Sequence, residues 1–87
     1  MSYEIRFKSS ALKAFRKLRG DIRGRVAEAI LGLSENPRPP DARKLAGTRD
    51  FFRIRVGDYR VIYELKRGVL VVLIVKVAHR REAYRKL

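Results

Sequence analysis

Apolar and polar residues alternate at the start of the chain. Tyr3, Ile5 and Phe7 are separated by Glu4 and Arg6, which predicts a short half-buried strand. The period then lengthens. Ala11, Leu12, Phe15 and Leu18 recur at helical spacing, with Lys13, Arg16 and Lys17 between them and Ser9 and Ser10 placed to act as N-caps. Gly20 interrupts this helix, Asp21 offers a cap for a second, and Ile22, Val26, Ala29, Ile30 and Leu33 form the second stripe. The pattern predicts two short antiparallel helices joined at Arg19-Gly20. Asn36-Pro37-Arg38-Pro39-Pro40 ends the second helix, because proline lacks an N–H and keeps the residue before it extended.

From Phe51 the period is two. Phe52, Ile54 and Val56 lie on one face of a strand, and Phe51, Arg53 and Arg55 lie on the other. Gly57-Asp58 reads as a two-residue hairpin turn of type II′, which favours glycine first. Tyr59 to Lys66 forms the return strand, and Arg67-Gly68 turns the chain into a last strand, Val69 to Val77. That strand is apolar on both faces, so a central position covered on both sides is expected. Arg80 to Lys86 is expected to be a short helix or turn. The order is β-α-α-β-β-β, an α+β fold with two helices on one face of a small, mainly antiparallel sheet, and residues 1–87 read as one domain.

Composition narrows what such a domain does. Its 22 Lys and Arg against 9 Asp and Glu give a net charge of +13, while a hydrophobic content of 46% argues for a packed core over a disordered basic tail. With no Cys and one His, disulfide frameworks, thiol nucleophiles and His or Cys metal clusters are not expected. No membrane span is expected either, since the run Val69 to Val75 falls far short of the ~20 residues one needs. No signal peptide is read at the N-terminus, which makes the cytoplasm the default location. Arginine dominates the basic residues, and its planar fork suits phosphate and carboxylate. The expected partner is anionic.

The hairpin register sharpens this. With Gly57-Asp58 as the loop, Arg55 lies opposite Arg60, and Arg53 shares their face from two residues back. Like charges facing each other destabilise a sheet, so the arrangement points to an anion bound there. A plain solvated face is the alternative, and a one-residue bulge would move Arg60 to the other face. The segment His79-Arg80-Arg81-Glu82-Ala83-Tyr84-Arg85 adds a second group. If helical, it sets Arg80 and Tyr84 on one side, a phosphate clamp beside a ring for stacking or a phenol for proton transfer.

Several runs resemble the RelE/ParE toxin superfamily: Lys44-Leu45-Ala46-Gly47, Phe51 through Tyr63, His79-Arg80-Arg81-Glu82-Ala83-Tyr84, and the opening Phe7-x-x-x-Ala11-Leu12-Lys13. Asp58-Tyr59-Arg60-Val61-Ile62-Tyr63 and His79-Arg80-Arg81 are the most specific parts, and the likeness spans nearly the whole chain. The resemblance implies the toxin of a type II toxin–antitoxin pair. RelE-like members cleave mRNA in the ribosomal A site without metal or other cofactor, the ribose 2′-hydroxyl attacking the adjacent phosphodiester to leave a 2′,3′-cyclic phosphate.

On this resemblance the catalytic residues are Arg53, Arg55, Arg60, Arg80 and Tyr84, with Lys44, His79, Arg81 and Arg85 as RNA contacts. The implied partners are mRNA, the ribosome with its 16S rRNA, and a cognate acidic antitoxin forming a hetero-oligomer. Three departures stand out. Arg53 and Arg55 replace the lysines of the best-known member, which removes them as ordinary proton acceptors. Ala46 stands where a basic loop residue is often found, and Tyr84 follows Arg80 after fewer residues than in that member. A ParE-like inhibitor of DNA gyrase on the same fold, and a non-catalytic nucleic-acid-binding module, are the competing readings.

Overall fold

The computed structural model describes residues 2–85. Its elements are β1 (Glu4–Phe7), α1 (Ser9–Arg16), α2 (Gly20–Glu35), β2 (Arg43–Lys44), β3 (Phe51–Val56), β4 (Tyr59–Lys66) and β5 (Val71–His79). The five strands form one sheet in the order β1-β5-β4-β3-β2. The pairing is antiparallel except between β1 and β5, which run parallel. The expected α+β order holds, with β2 as an added two-residue edge strand, and β5 lies inside the sheet as its two apolar faces require.

Both helices start differently from the cap signals. Lys8 is the N-cap of α1 and makes no side-chain cap bond; Ser9 and Ser10 lie in the first turn. The cause is the sheet: the Lys8 N–H donates to the Ile74 carbonyl at 2.9 Å, so the strand runs directly into the helix. Arg19 is the N-cap of α2, Gly20 is its first helical residue, and the break lies at 17–19. Arg23 closes that corner by donating from Nη1 to the Leu18 carbonyl at 3.0 Å. Asp21 sits in the first turn of α2, where its charge suits the helix dipole. At 16 residues α2 is twice the length of α1.

The core lies between the helices and one sheet face. Ala11, Val26, Ile30 and Leu33 pack against Phe52, Ile54, Val61, Tyr63, Val72, Ile74 and Val77, all almost fully buried. A β-bulge sets this alignment. The register passes from Ile62↔Lys76 to Tyr63↔Ile74, skipping Val75, so Val72, Ile74 and Val77 all face the helices despite their uneven spacing. Tyr63 is fully buried and donates its hydroxyl to the Pro37 carbonyl at 2.6 Å, tying the proline loop to the sheet. Burial, helped by the charge of Asp41 and opposed by Arg38, pushes its phenol up to about 12.

The turn before β5 is longer than expected. It spans 67–70, with Leu70 rather than Gly68 in the left-handed region at φ 55°, and β5 begins at Val71. The Leu70 carbonyl accepts from Glu4 N–H at 2.9 Å, which fixes this end of the strand to β1. Among the described residues no helix is long and apolar enough to cross a membrane.

Candidate active site

The hairpin forms with the expected register. Gly57 takes φ 58° in a two-residue turn, Val56 pairs with Tyr59, and Arg55 pairs directly with Arg60. Arg53 pairs with Ile62, on the same face by alternation. The bulge lies between β4 and β5, so it leaves this pairing intact. Because the helices cover the face of Phe52, Ile54 and Val61, the three guanidinium groups project from the helix-free face. None of them has a carboxylate partner among the described residues. Arg60 curls toward the hairpin tip, where its Nη1 donates to the carbonyls of Gly57 at 3.1 Å and Tyr59 at 3.0 Å.

Arg80 joins the same tip. Its backbone N–H donates to the Asp58 carbonyl at 2.7 Å, and its Nη1 lies 4.0 Å from the Asp58 carboxylate. This contact holds residue 80 beside the turn that Arg60 also touches, although the two arginines are 20 positions apart in the chain. Asp58 is thus the single acid set among the arginines of the tip.

The segment after β5 is a run of turns over Arg80–Arg85, with Glu82 N–H donating to the His79 carbonyl and Arg85 N–H to the Glu82 carbonyl. Lys86, the end of the expected helix or turn, lies outside the described residues. Without a helix, the i, i+4 argument for placing Tyr84 beside Arg80 no longer applies. Tyr84 is half exposed, and nothing in the geometry brings its ring to Arg53, Arg55 or Arg60. The segment does fold back on the sheet: Lys76 Nζ donates to the Arg85 carbonyl, and Ala83 is fully buried. Ile62, between Arg53 and Lys76 on the helix-free face, is also fully buried.

The remaining expected RNA contacts divide. Arg81 and Arg85 are exposed in the returning segment. His79 pairs with Tyr59, which puts it on the helix side of the sheet; the two rings meet edge to face at 5.6 Å, and His79 Nδ1 accepts from Arg81 N–H at 3.2 Å. Lys44 pairs with Phe52 and so lies on the helix side of the edge strand, away from the arginine row.

Two arginines near the site were not read from the sequence. Arg43 pairs with Arg53 and extends the row on the helix-free face, its guanidinium donating to the carbonyls of Pro40 and Ala42. Its strand is only two residues long, too short for any periodicity to show. Arg25 reaches the hairpin from α2: a Cβ at residue 57 would lie 3.5 Å from its Nη1. Its position one residue from the buried Val26 gave no hint of that reach.

A two-helix α+β fold with an unpaired arginine face fits the toxin class of type II toxin–antitoxin systems. The family model described as "ParE toxin of type II toxin-antitoxin system, parDE" matches residues 5–84, and the chain belongs to this family, within the RelE/ParE superfamily. Among its relatives, Toxin RelG of Mycobacterium tuberculosis is 37% identical over 90 residues, covering 99% of this chain and all of that protein. The mRNA interferase toxin RelE of Escherichia coli K12 is 31% identical over 85 residues, covering 95% of this chain and 88% of that protein. The crystal structure of isolated E. coli RelE superposes with a TM-score of 0.82 at 29% identity, covering 90% of this chain and 84% of that one. The archaeal RelE of Pyrococcus horikoshii, solved as a RelE–RelB complex, gives 0.82 at 34% identity, covering 95% and 100%.

Proposed function

We propose that this toxin is a ribosome-dependent endonuclease that cuts mRNA in the A site. In this reaction a ribose 2′-hydroxyl attacks its adjacent phosphodiester. Its proton is removed as the P–O bond forms, the 5′-oxygen leaves and takes up a proton, and a 2′,3′-cyclic phosphate remains. The observation that carries the reading is the Arg55–Arg60 pairing with Arg53 beside it, three cations on one face, none of them ion-paired to a carboxylate among the described residues. Fixed cations aimed at the charge that develops in a transition state supply the largest share of many enzymes' acceleration. In this scheme Arg53, Arg55 and Arg60 hold the phosphorane oxygens, and Arg80 attends the leaving oxygen from the hairpin tip. Tyr84 stacks on a base once the returning segment rearranges around RNA. Arginine stays protonated, so the 2′-hydroxyl proton goes to another acceptor, and positioning on the ribosome supplies much of the remaining rate. The RelE relatives named mRNA interferases support this assignment.

Some solved relatives are complexes with their RelB antitoxins. For this chain we infer an acidic, partly disordered antitoxin segment that folds on binding, its carboxylates meeting the arginine face. Its apolar side chains fit a groove of about 740 Å³ where Ala11 and Ala14 of α1 face Leu73 and Val75 of β5 and Glu82 and Arg85 of the returning segment. A ribosomal target places the toxin's action in the cytoplasm.

Primer-extension mapping of transcripts after induction tests the reading, with breaks at A-site codons as the expected result. Arg60→Ala and Arg80→Ala should each relieve toxicity while the protein stays folded and bound by its antitoxin. Undiminished cleavage by both would remove them from the site. The family model bears the ParE description, so gyrase inhibition is the second reading, and intact mRNA with arrested gyrase would select it.

A further inference from the structure

The helix-free face of the sheet carries a lysine beside its arginines. Lys76 pairs with Ile62, Ile62 with Arg53, and Arg53 with Arg43, so the four form one row across β5, β4, β3 and β2. Ala78 pairs with Arg60, which makes Lys76, two residues back on β5, a diagonal neighbour of Arg60. Arg53 is its diagonal neighbour from the other side. Strands lie about 4.8 Å apart, which leaves about 10 Å between the backbones of Lys76 and Arg53, a gap that two long side chains span over Ile62. Both are half-buried and Ile62 is fully buried, as expected where aliphatic stems cover apolar surface and carry their charges outward.

The bulge is what puts Lys76 there. Val72 and Ile74 face the helices, and strict alternation would send residue 76 into the core after them. Val75 is the extra residue, and beyond it the faces exchange: Lys76 turns to the helix-free side and Val77 to the core. Bulges recur next to reactive sites, where they re-aim a side chain.

Chemistry sets Lys76 apart from its neighbours. Arg43, Arg53, Arg55, Arg60 and Arg80 stay protonated, so they can hold charge and cannot take a proton. A lysine amine can. The other acceptors are engaged elsewhere. His79 lies on the helix side, its Nδ1 accepting from Arg81 N–H; Asp58 meets Arg80 at the hairpin tip; Glu64 pairs with Lys66. Lys76 has no ion-pair partner among the described residues, and its Nζ donates to the Arg85 carbonyl. That bond occupies the ammonium while the returning segment is in place, and movement of the segment around RNA frees it. Arg53 and Arg60, with Lys8 and Arg85 along the groove, set positive charge around Lys76, and Glu64 and Glu82 oppose them.

We propose that Lys76 is the acceptor of the 2′-hydroxyl proton. The inference rests on the endonuclease reading and fills the role that reading leaves open. The freed ammonium first gives a proton to solvent water. The amine then takes the 2′-hydroxyl proton as the bond from the 2′-oxygen to phosphorus forms. The bond from phosphorus to the 5′-oxygen breaks, and that oxygen keeps the electron pair and takes a proton from water. This uptake balances the proton released at the start, and Lys76 is again an ammonium.

The test is single-turnover cleavage of mRNA on programmed ribosomes at saturating toxin, with wild type, Lys76→Arg, Lys76→Ala and Glu82→Gln. Lys76→Arg keeps the charge and cannot accept a proton, so it should bind ribosomes as wild type and cut at least about 100-fold more slowly. Lys76→Ala should be as slow. Added ethylamine should restore it in proportion to concentration, more at higher pH where more of the amine is unprotonated, and should leave Lys76→Arg slow. Glu82→Gln should cut as wild type, and all three variants should unfold near the wild-type urea midpoint. Cleavage by Lys76→Arg at the wild-type rate overturns the proposal, as does a Lys76→Ala that ethylamine leaves slow. A loss in Glu82→Gln with Lys76→Arg unimpaired would give the proton to Glu82 instead. A wild type that binds ribosomes and never cuts RNA overturns the endonuclease reading together with this one, whereas a wild type and a Lys76→Arg that cut alike remove Lys76 alone.

Discussion

Replacing Arg55 with threonine should make the protein more stable and less toxic at once. Arg55 is exposed, faces Arg60 across the β3–β4 ladder, and donates no side-chain hydrogen bond among the described residues. Two cations roughly 7 Å apart in water repel by about 0.6 kcal/mol. Screening leaves about 0.5 kcal/mol at 10 mM salt, where the Debye length is about 30 Å, and under about 0.1 kcal/mol at 1 M, where it is about 3 Å. Arg53, diagonal to Arg60, adds a smaller amount of the same sign. Threonine keeps the β-branched shape a strand favours, so the gain is not lost to propensity. Urea denaturation, which adds no ions, should show the variant more stable by about 0.5 to 1 kcal/mol at low salt and level with wild type at 1 M. The midpoint of thermal unfolding should rise by a few degrees, about 4 to 8 °C per kcal/mol for a domain of this size. RNA cleavage should fall by about two orders of magnitude, in line with losing one fixed cation from a transition-state site. A variant less stable than wild type at low salt, or a gain that persists in 1 M salt, would refute the claim that this face stores repulsion.

Other substitutions address the scaffold. Tyr63→Phe removes the hydroxyl that the Pro37 carbonyl accepts, and a cost of about 1 to 2 kcal/mol should appear in urea denaturation at pH 7. The raised phenol pKa also predicts a pH window. Between pH 10 and about 12 the unfolded chain has released this proton and the folded chain has not, so stability falls with pH by up to about 1.4 kcal/mol per unit. The difference between wild type and Tyr63→Phe should shrink across that window, and a constant difference would count against a buried neutral phenol. Gly57→Ala places a side chain at φ 58° and against the Arg25 guanidinium, so it should cost about 1 to 2 kcal/mol. If the tip organises Arg60 and Arg80, this variant should also cut less RNA than its lost stability explains. Leu33→Ala, at a fully buried position, should cost about 2 to 5 kcal/mol by calorimetry with no selective effect on the site.

Legibility in the sequence followed the range of each physical signal. The Arg55–Arg60 pairing was readable because a two-residue turn fixes register by itself: once Gly57 and Asp58 are the loop, every facing pair in β3 and β4 follows. The caps were misread for the opposite reason. Ser9 is a better cap than Lys8 taken alone, but the Lys8 N–H is already held by Ile74, 66 residues further on. The split of β5 into two faces depended on the bulge at Val75, which in a run of valines, leucine and isoleucine leaves no trace in the pattern. Position by position, the resemblance names residues but not faces: Lys44 and His79 lie on the helix side of the sheet and Arg80 at the hairpin tip, each placed by pairing partners the motif does not contain. Arg43 and Arg25 were missed because a two-residue strand and a reach across layers have no sequence period.

The place of β5 in the sheet also governs when the proposed site can assemble. The last strand of the chain is inserted between the first strand and the fourth, its parallel pairing with β1 closing a separation of 67 residues. Such distant contacts form late in folding, after local ones such as the β3–β4 hairpin. During synthesis, a chain that has not yet released residues 71–79 therefore has its hairpin arginines close to their final spacing but lacks the strand that carries Arg80 to the tip and completes the helix-facing core. On the endonuclease reading, arming waits until β5 has inserted between β1 and β4.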